Sequence, residues 1–368
     1  MFQTSATWLR IVLSVAVAGS FSYFITPWVR VLASKIGAID VPDGNRHIHK
    51  KPTPRLGGLA IYFGFLCAVF LFTELTYTLR GILLGSALIV LLGAVDDKRK
   101  LGAWTKLLFQ IVAAVIAVLH GVTIEMLRDP TSLTESGFLV LGALAVPVSI
   151  IWIVGITNSV NLIDGLDGLA AGVSVISSIA MFVVAMLSDE INVALVIAAL
   201  IGGCLGFLPY NLNPAKIFMG DTGSLMLGYL LATISIVGMF KLYAVFTFIV
   251  PVIALALPLF DTAFAIIRRL LNKQSPFCAD RRHLHHKLLD IGFTQKQAVA
   301  VLYAFSAIMG IFAVFTATRG AVSYVLLAVS AASSVAVGIY IRKTLINNKN
   351  GACNSSEAEL KGNSNEKN

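Results

Sequence analysis

Asn158-Ser-Val-Asn161-Leu-Ile-Asp164-Gly-Leu-Asp167-Gly168 is the stretch around which the chain is organised. Two amides and two carboxylates recur at every third position, in a sequence that is otherwise almost continuously apolar on both sides. Such groups are costly at membrane depth, where an ionisable residue is by default a sign of a functional site. Residues three apart share a helical face, so the four can line one wall of a site, while Gly165 and Gly168 let a backbone or ligand approach closely. The plainer reading is a polar seam between helices, closed by helix caps.

The composition around that stretch sets the class. Of 368 residues, 57% are hydrophobic and 13% charged, and the mean hydropathy of +0.84 is far above that of a soluble domain. Apolar runs approach the ~20 residues that a helix needs to cross a bilayer. The expected fold is therefore an all-α polytopic membrane protein, with eleven spans near 7–34, 57–78, 80–95, 103–121, 137–157, 168–187, 190–208, 222–240, 243–264, 297–317 and 321–342. They form one domain over residues 1–342, and the Asn-, Lys-, Ser-, Glu- and Gly-rich tail at 343–368 is expected to be disordered. Ala16-Val17-Ala18 has the form of a signal-peptidase site, but the apolar run continues to Val31, so the first span is expected to remain uncleaved.

Charge orients the bundle. With the N-terminus outside, all of the 28 lysines and arginines except Arg10, Arg80, Arg128, Lys241 and Arg319 fall on one side, which the positive-inside rule makes cytoplasmic. The C-terminus is then cytoplasmic too. The same bias explains the net charge of +9, and no nucleic-acid motif accompanies it. Cys67, Cys204, Cys278 and Cys353 are isolated and show neither metal nor disulfide spacing.

Each polar cluster that interrupts the apolar pattern falls at that cytoplasmic side. The loop from Asp40 to Gly58 carries Arg46, His47, His49, Lys50, Lys51 and Arg55 among three prolines, a basic surface of restricted backbone suited to phosphate or to anionic lipid. Asp96-Asp97 closes the third span with Lys106 nearby, and can hold a cation, accept a proton or simply neutralise the lysines. Asn211 to Ser224 contains Lys216, Phe218 and a single acid, Asp221, between Gly220 and Gly223 ahead of a new helix; this suits an oxygen-ligated Mg²⁺ with phosphate at a helix N-terminus, or else a plain N-cap. His283, His285 and His286 cluster in the longest loop, after Asp261. Without cysteines at zinc spacing, carboxylates elsewhere favour a hard cation over zinc. One cytoplasmic-facing site follows, with carboxylates, amides, basic groups and histidines at the edge of an apolar bundle, and this composition fits phosphoryl transfer between a soluble diphosphate and a lipid-borne phosphate. A transporter would instead place polar groups near the midplane, often within inverted repeats.

The Asp96-Asp97 pair, Asn158-x-x-Asn-Leu-x-Asp-Gly-Leu-Asp-Gly, Phe218-Met-Gly-Asp-Thr-Gly-Ser and His283-x-His-His resemble, in order, the motifs of the polyprenyl-phosphate N-acetylhexosamine-1-phosphate transferases. The resemblance extends to about residue 342 and is strongest to the undecaprenyl-phosphate N-acetylglucosamine-1-phosphate transferases that begin wall teichoic acid, common antigen or O-antigen synthesis. The muramoyl-pentapeptide branch typically has three consecutive histidines and Pro-Thr-Met-Gly-Gly, whereas here Leu284 interrupts the histidines and Arg55-Leu-Gly-Gly stands instead. The resemblance implies a bacterial plasma-membrane enzyme that uses UDP-GlcNAc, undecaprenyl phosphate and Mg²⁺, with Mn²⁺ as the alternative ion, and it leaves a homodimer open. It implies a catalytic set of Asp96, Asp97, Asp221, His285 and His286, with Asp221 on the metal. Substrate contacts are implied for Lys50, Lys106, Asn158, Asn161, Asp164, Asp167, Asn211, Phe218 and His283.

Overall fold

The computed structural model describes residues 5–41, 52–128, 138–238, 249–271, 283–318, 325–339 and 341. Lys50, His47, His49 and the 343–368 tail lie outside them. The regular structure of the described residues is helical, apart from two short antiparallel ladders, β1 (Ile39–Asp40) on β2 (Thr53–Pro54) and β3 (Met126–Arg128) on β4 (Phe138–Val140). The helices are α1 (Ser5–Ile36), α2 (Gly58–Phe72), α3 (Tyr77–Arg99), α4 (Ala103–Leu119), α5 (Ala145–Ile163), α6 (Leu169–Leu187), α7 (Ile191–Asn211) and α8 (Gly220–Val237). They continue as α9 (Ile249–Ala254), α10 (Ala256–Leu271), α11 (Leu284–Asp290), α12 (Gln295–Ala317) and α13 (Val325–Ile339).

Among the described residues, seven helical segments are long and apolar enough to cross a bilayer, those of α1, α3, α5, α6, α7, α8 and α12, and α2, α4 and α13 are shorter apolar helices. The chain is a multi-pass membrane protein. Helices alone can satisfy every backbone group in lipid, so a run of apolar segments has no other open fold except a closed barrel. α7 and α8 lie deepest. α1 packs on α7 and α2, α3 and α5 pack on α8, and α12 packs on α6.

The helix ends differ from expectation where the site forms. α3 runs four residues beyond the expected 95, so Asp96 and Asp97 sit within its last turn, before Lys100 at φ 48° ends it. α5 continues to Ile163 and so includes Asn158 and Asn161, but Asp164 and Asp167 fall beyond its end. The four polar groups therefore do not share one helical face. Two close crossings then bring the segments together: a Cβ on Gly93 would strike the Thr222 backbone, and one on Gly58 would strike Gly223. α2 and α3 thus lie backbone-to-backbone against the first turn of α8.

Candidate active site

The centre of the site is a cation held between two carboxylates. Lys106, projecting from the first turn of α4, places Nζ 2.7 Å from Asp96 Oδ2 on α3 and 2.6 Å from Asp221 Oδ2 on α8. The other oxygen of Asp96 accepts from Leu101 N at 2.6 Å. Asp97, one residue on, has a different task. Its Oδ1 accepts from Asp221 N at 2.9 Å, and its Oδ2 accepts from Thr222 N at 3.0 Å and Thr222 Oγ1 at 2.6 Å. Those N–H groups belong to the first turn of α8, which has no intrahelical acceptor for them. Asp97 is thus an N-cap supplied by another helix, and neither Asp221 nor Thr222 caps α8 with its own side chain. Gly220, at φ 70°, makes this approach feasible, since a Cβ there would strike Asp97 Oδ2.

The Asn158–Gly168 stretch contributes in pieces. Asp164 terminates α5 and faces the same carboxylates; burial lifts its carboxyl to about 7, the Asp221 charge adds to the effect, and Arg55 opposes it. Asn158 exchanges hydrogen bonds with Gln110 of α4, donating at 2.6 Å and accepting at 3.3 Å. Asn161 donates to Ser224 Oγ of α8 at 2.7 Å. These two amides are the polar seam between helices. Asp167 accepts from Asn213 Nδ2 at 2.9 Å and Ala215 N at 3.0 Å, and so holds the loop that follows α7. Asn211, buried, accepts from Gly168 N at 3.1 Å and donates to Ile217 O at 3.1 Å, tying that loop to the Asp164–Gly168 turn. Phe218, half-buried, pins the loop with its backbone: its N donates to Pro54 O at 2.8 Å and its O accepts from Gly57 N at 2.9 Å.

The histidines close the opposite flank. His283 Nδ1 lies 2.9 Å from Asp261 Oδ2, and the other Asp261 oxygen accepts from Leu284 N at 2.8 Å, so Asp261 organises the start of α11. His285 packs against Gly165, one residue from Asp164, where a Cβ would strike its Nε2. His286 is half-buried 4.3 Å from the His285 ring, and Leu284 is exposed on the other face. Burial pushes the buried His285 imidazole down to about 4, with the neighbouring His286 and His283 adding to the effect and Asp261 opposing it. The folded state therefore prefers neutral His285. Its contribution to stability is complete above the ordinary value of 6.5 and is lost as pH falls from there through 4. At pH 5 the expected loss is about 2 kcal/mol. Acidification from pH 7 to 5 should raise amide exchange in α11 in the wild type, and His285→Asn should flatten that dependence. An equally steep pH dependence in the variant would assign it to another group.

Four residues were not singled out for the site from sequence: Gln110, Thr222, Ser224 and Arg55. Gln110 is the lone polar residue in the apolar run Leu107–Leu119, a readable signal. Thr222 and Ser224 lie at the start of α8, and their partners on α3 and α5 are remote in sequence. Arg55, which follows β2, lies 3.5 Å from Asp40 Oδ1 and 3.8 Å from Asp97 Oδ1. Its guanidinium is held above its ordinary value because Asp40, Asp97, Asp221 and Asp164 outweigh the opposing effect of burial.

Carboxylates, a lysine and an arginine gathered where helices of a membrane bundle end make a site for anionic groups, the setting of a membrane phosphotransferase. The chain belongs to the polyprenyl-phosphate N-acetylhexosamine-1-phosphate transferases: residues 79–239 match the model of Glycosyl transferase family 4, and relatives of that kind align over most of its length. A probable undecaprenyl-phosphate N-acetylglucosaminyl 1-phosphate transferase of Bacillus subtilis (strain 168) is 43% identical over 309 residues, 83% of this chain and 85% of the relative. A decaprenyl-phosphate N-acetylglucosaminephosphotransferase of Mycolicibacterium smegmatis is 38% identical over 325 residues, 79% of this chain and 78% of the relative. A phospho-N-acetylmuramoyl-pentapeptide-transferase of Heliobacterium modesticaldum is 34% identical over 329 residues, 84% of this chain and 98% of the relative.

Proposed function

We propose that this protein transfers N-acetylglucosamine 1-phosphate from UDP-GlcNAc to undecaprenyl phosphate at the cytoplasmic face of a bacterial plasma membrane, opening the synthesis of an envelope glycan such as wall teichoic acid. The observation that carries this reading is the meeting of Asp96, Asp97, Lys106 and Asp221 from three helices, in a chain of this family. The excess of basic residues on the same side supports the orientation.

The acceptor phosphate is already ionised at neutral pH, its second pKa being about 6. One of its oxygens attacks the β-phosphorus of UDP-GlcNAc. A new P–O bond forms, the bridging bond to the α-phosphate breaks, and its electron pair leaves with UMP while the sugar keeps its phosphate. No strong base is needed, and Asp97, with both oxygens engaged by α8, fixes the position of Asp221 rather than receiving a proton. Lys106 supplies positive charge between the carboxylates, and His286 is the most accessible of the three clustered histidines for substrate contact.

Mg²⁺, or Mn²⁺ in its place, suits the donor set. Two carboxylate oxygens already converge on one ammonium within 2.7 Å, and Mg²⁺ commonly takes one or two carboxylates plus substrate phosphates and water. Asp221, with Asp96 beside it, would hold the ion. When bound, it would neutralise charge developing on the diphosphate.

Purified protein given UDP-GlcNAc and undecaprenyl phosphate is expected to release UMP with added Mg²⁺ and to stop when EDTA is present. UDP-N-acetylmuramoyl-pentapeptide should neither substitute nor compete, since Arg55-Leu-Gly-Gly and the interrupted histidines differ from that branch. Release with the muramoyl donor alone would overturn the donor assignment, and no release with either would overturn the reaction.

A further inference from the structure

We infer that Arg55 is a phosphate-binding residue of this site, its guanidinium contacting a phosphate oxygen of one of the two phosphorylated substrates. The inference rests on the transferase reading and adds to it the protein group that receives the anion.

The backbone around Arg55 is built to hold a side chain in place. Arg55 N donates to Ala38 O at 2.9 Å, Pro54 O accepts from Phe218 N at 2.8 Å, and Gly57 N and Gly58 N donate to Phe218 O and Met219 O, each at 2.9 Å. The segment is thus bonded to the residues that lead directly into Gly220 and Asp221. Leu56, buried, holds φ at 91°, a region that a non-glycine residue enters rarely and keeps only when its surroundings enforce it. Gly57 and Gly58 follow because a Cβ at either would strike the Phe207 ring or Gly223. The arginine that precedes this clamp therefore has a fixed relation to the first turn of α8.

Its side chain keeps hydrogen-bonding capacity in reserve. Nη1 lies 3.5 Å from Asp40 Oδ1 and Nε lies 3.8 Å from Asp97 Oδ1, both longer than the 2.7–2.9 Å of a charge-assisted hydrogen bond. Nε is buried and has no hydrogen-bond partner. Asp97 cannot turn to meet it, because its oxygens already accept from Asp221 and Thr222. Lys106 is the contrasting case, held at 2.6 and 2.7 Å by two carboxylates. The Arg55 side chain as a whole is still 29% exposed. Around it stand Asp40, Asp97, Asp164 and Asp221, so an entering phosphate meets strong negative potential unless a fixed cation receives it. An arginine fork suits phosphate geometry, and of Arg55 and Lys106 it is Arg55 whose charge is not already taken up at hydrogen-bond distance.

The test compares the full-length wild type with Arg55→Gln and Arg55→Lys, using UMP release with each substrate varied in turn. Loss of a hydrogen bond to a charged group corresponds to roughly a tenfold to hundredfold effect. Arg55→Gln should raise KM by that factor for one substrate, with a smaller change in kcat, and Arg55→Lys should recover part of it. A rise for UDP-GlcNAc assigns the contact to the donor diphosphate, and a rise for undecaprenyl phosphate assigns it to the lipid headgroup. In a thermal-shift arm independent of turnover, the donor assignment also requires Arg55→Gln to lose stabilisation by UDP while its response to uridine is unchanged. Unchanged KM values with a lowered ligand-free melting temperature would reduce Arg55 to a structural role and overturn the proposal. Should Arg55→Gln fail to fold, Arg55→Lys carries the same comparison, and a KM equal to wild type for both substrates would again overturn it. A wild type that releases no UMP is a failure of the transferase reading, seen before any variant is compared.

Discussion

Asp221→Asn is expected to lower UMP release by on the order of a thousandfold while leaving a folded, detergent-stable protein. The asymmetry follows from what Asp221 touches. Its side chain is 17% exposed and its close partner is Lys106, itself 25% exposed and still held by Asp96 at 2.7 Å when Asp221 is neutral. Loss of one partly solvated ion pair costs at most about 1 kcal/mol. The backbone N–H of residue 221 continues to donate to Asp97, so α8 keeps its cap. What disappears is one of two carboxylates converging on a single cation position, and with it the charge balance that a diphosphate requires. Melting of the detergent-solubilised variant, measured beside its turnover, checks both halves. Activity within tenfold of wild type would remove Asp221 from the proposed role.

Asp97→Asn should give the opposite signature, with stability and turnover falling together. The Asp97 side chain is 1% exposed and its two oxygens accept three hydrogen bonds from the start of α8. An amide offers one acceptor and one donor, so Nδ2 must face a group that also donates. A buried donor left without an acceptor costs roughly 1–3 kcal/mol, and the lost cap adds about 1 kcal/mol. A displaced first turn of α8 carries Asp221 away from Lys106, so turnover is expected to fall by at least about a hundredfold, since misplacement of a catalytic group by about 1 Å has that effect. A lower melting temperature with normal kcat would show that the cap and the chemistry are separable. Normal melting with lost turnover would instead give Asp97 a direct part in the reaction.

The difference between these neighbours marks where sequence reading stops. From sequence, Asp96 and Asp97 are an interchangeable pair, because both are acids at the end of one apolar helix. In the fold, successive residues on a helix point about 100° apart, so Asp96 faces Lys106 on α4 and Asp97 faces the start of α8. The same applies to Asn158, Asn161, Asp164 and Asp167, which recur with a period of three. That period correctly marks a polar place in an apolar bundle. Yet α5 ends at Ile163, and the four partners lie on α4, on α8, in the carboxylate basin and in the loop after α7.

By itself the sequence determined that this chain crosses a membrane repeatedly on helices, and it marked the polar residues that stand out against the apolar runs. Both follow from local cost: a charge or amide inside an apolar run is conspicuous wherever it finally packs. Only the tertiary structure decided which of those residues meet a cation, which cap a helix and which seal a seam. Apart from the Asp96–Lys106 pair, those roles depend on partners 48 to 125 positions apart, brought together where Gly93 and Gly58 let α3 and α2 lie against α8. Arg55 is the clearest case. Its sequence signal was one basic residue among several in a loop, and its distinction, a buried Nε without a partner beside saturated Asp97, exists only once the helices have packed.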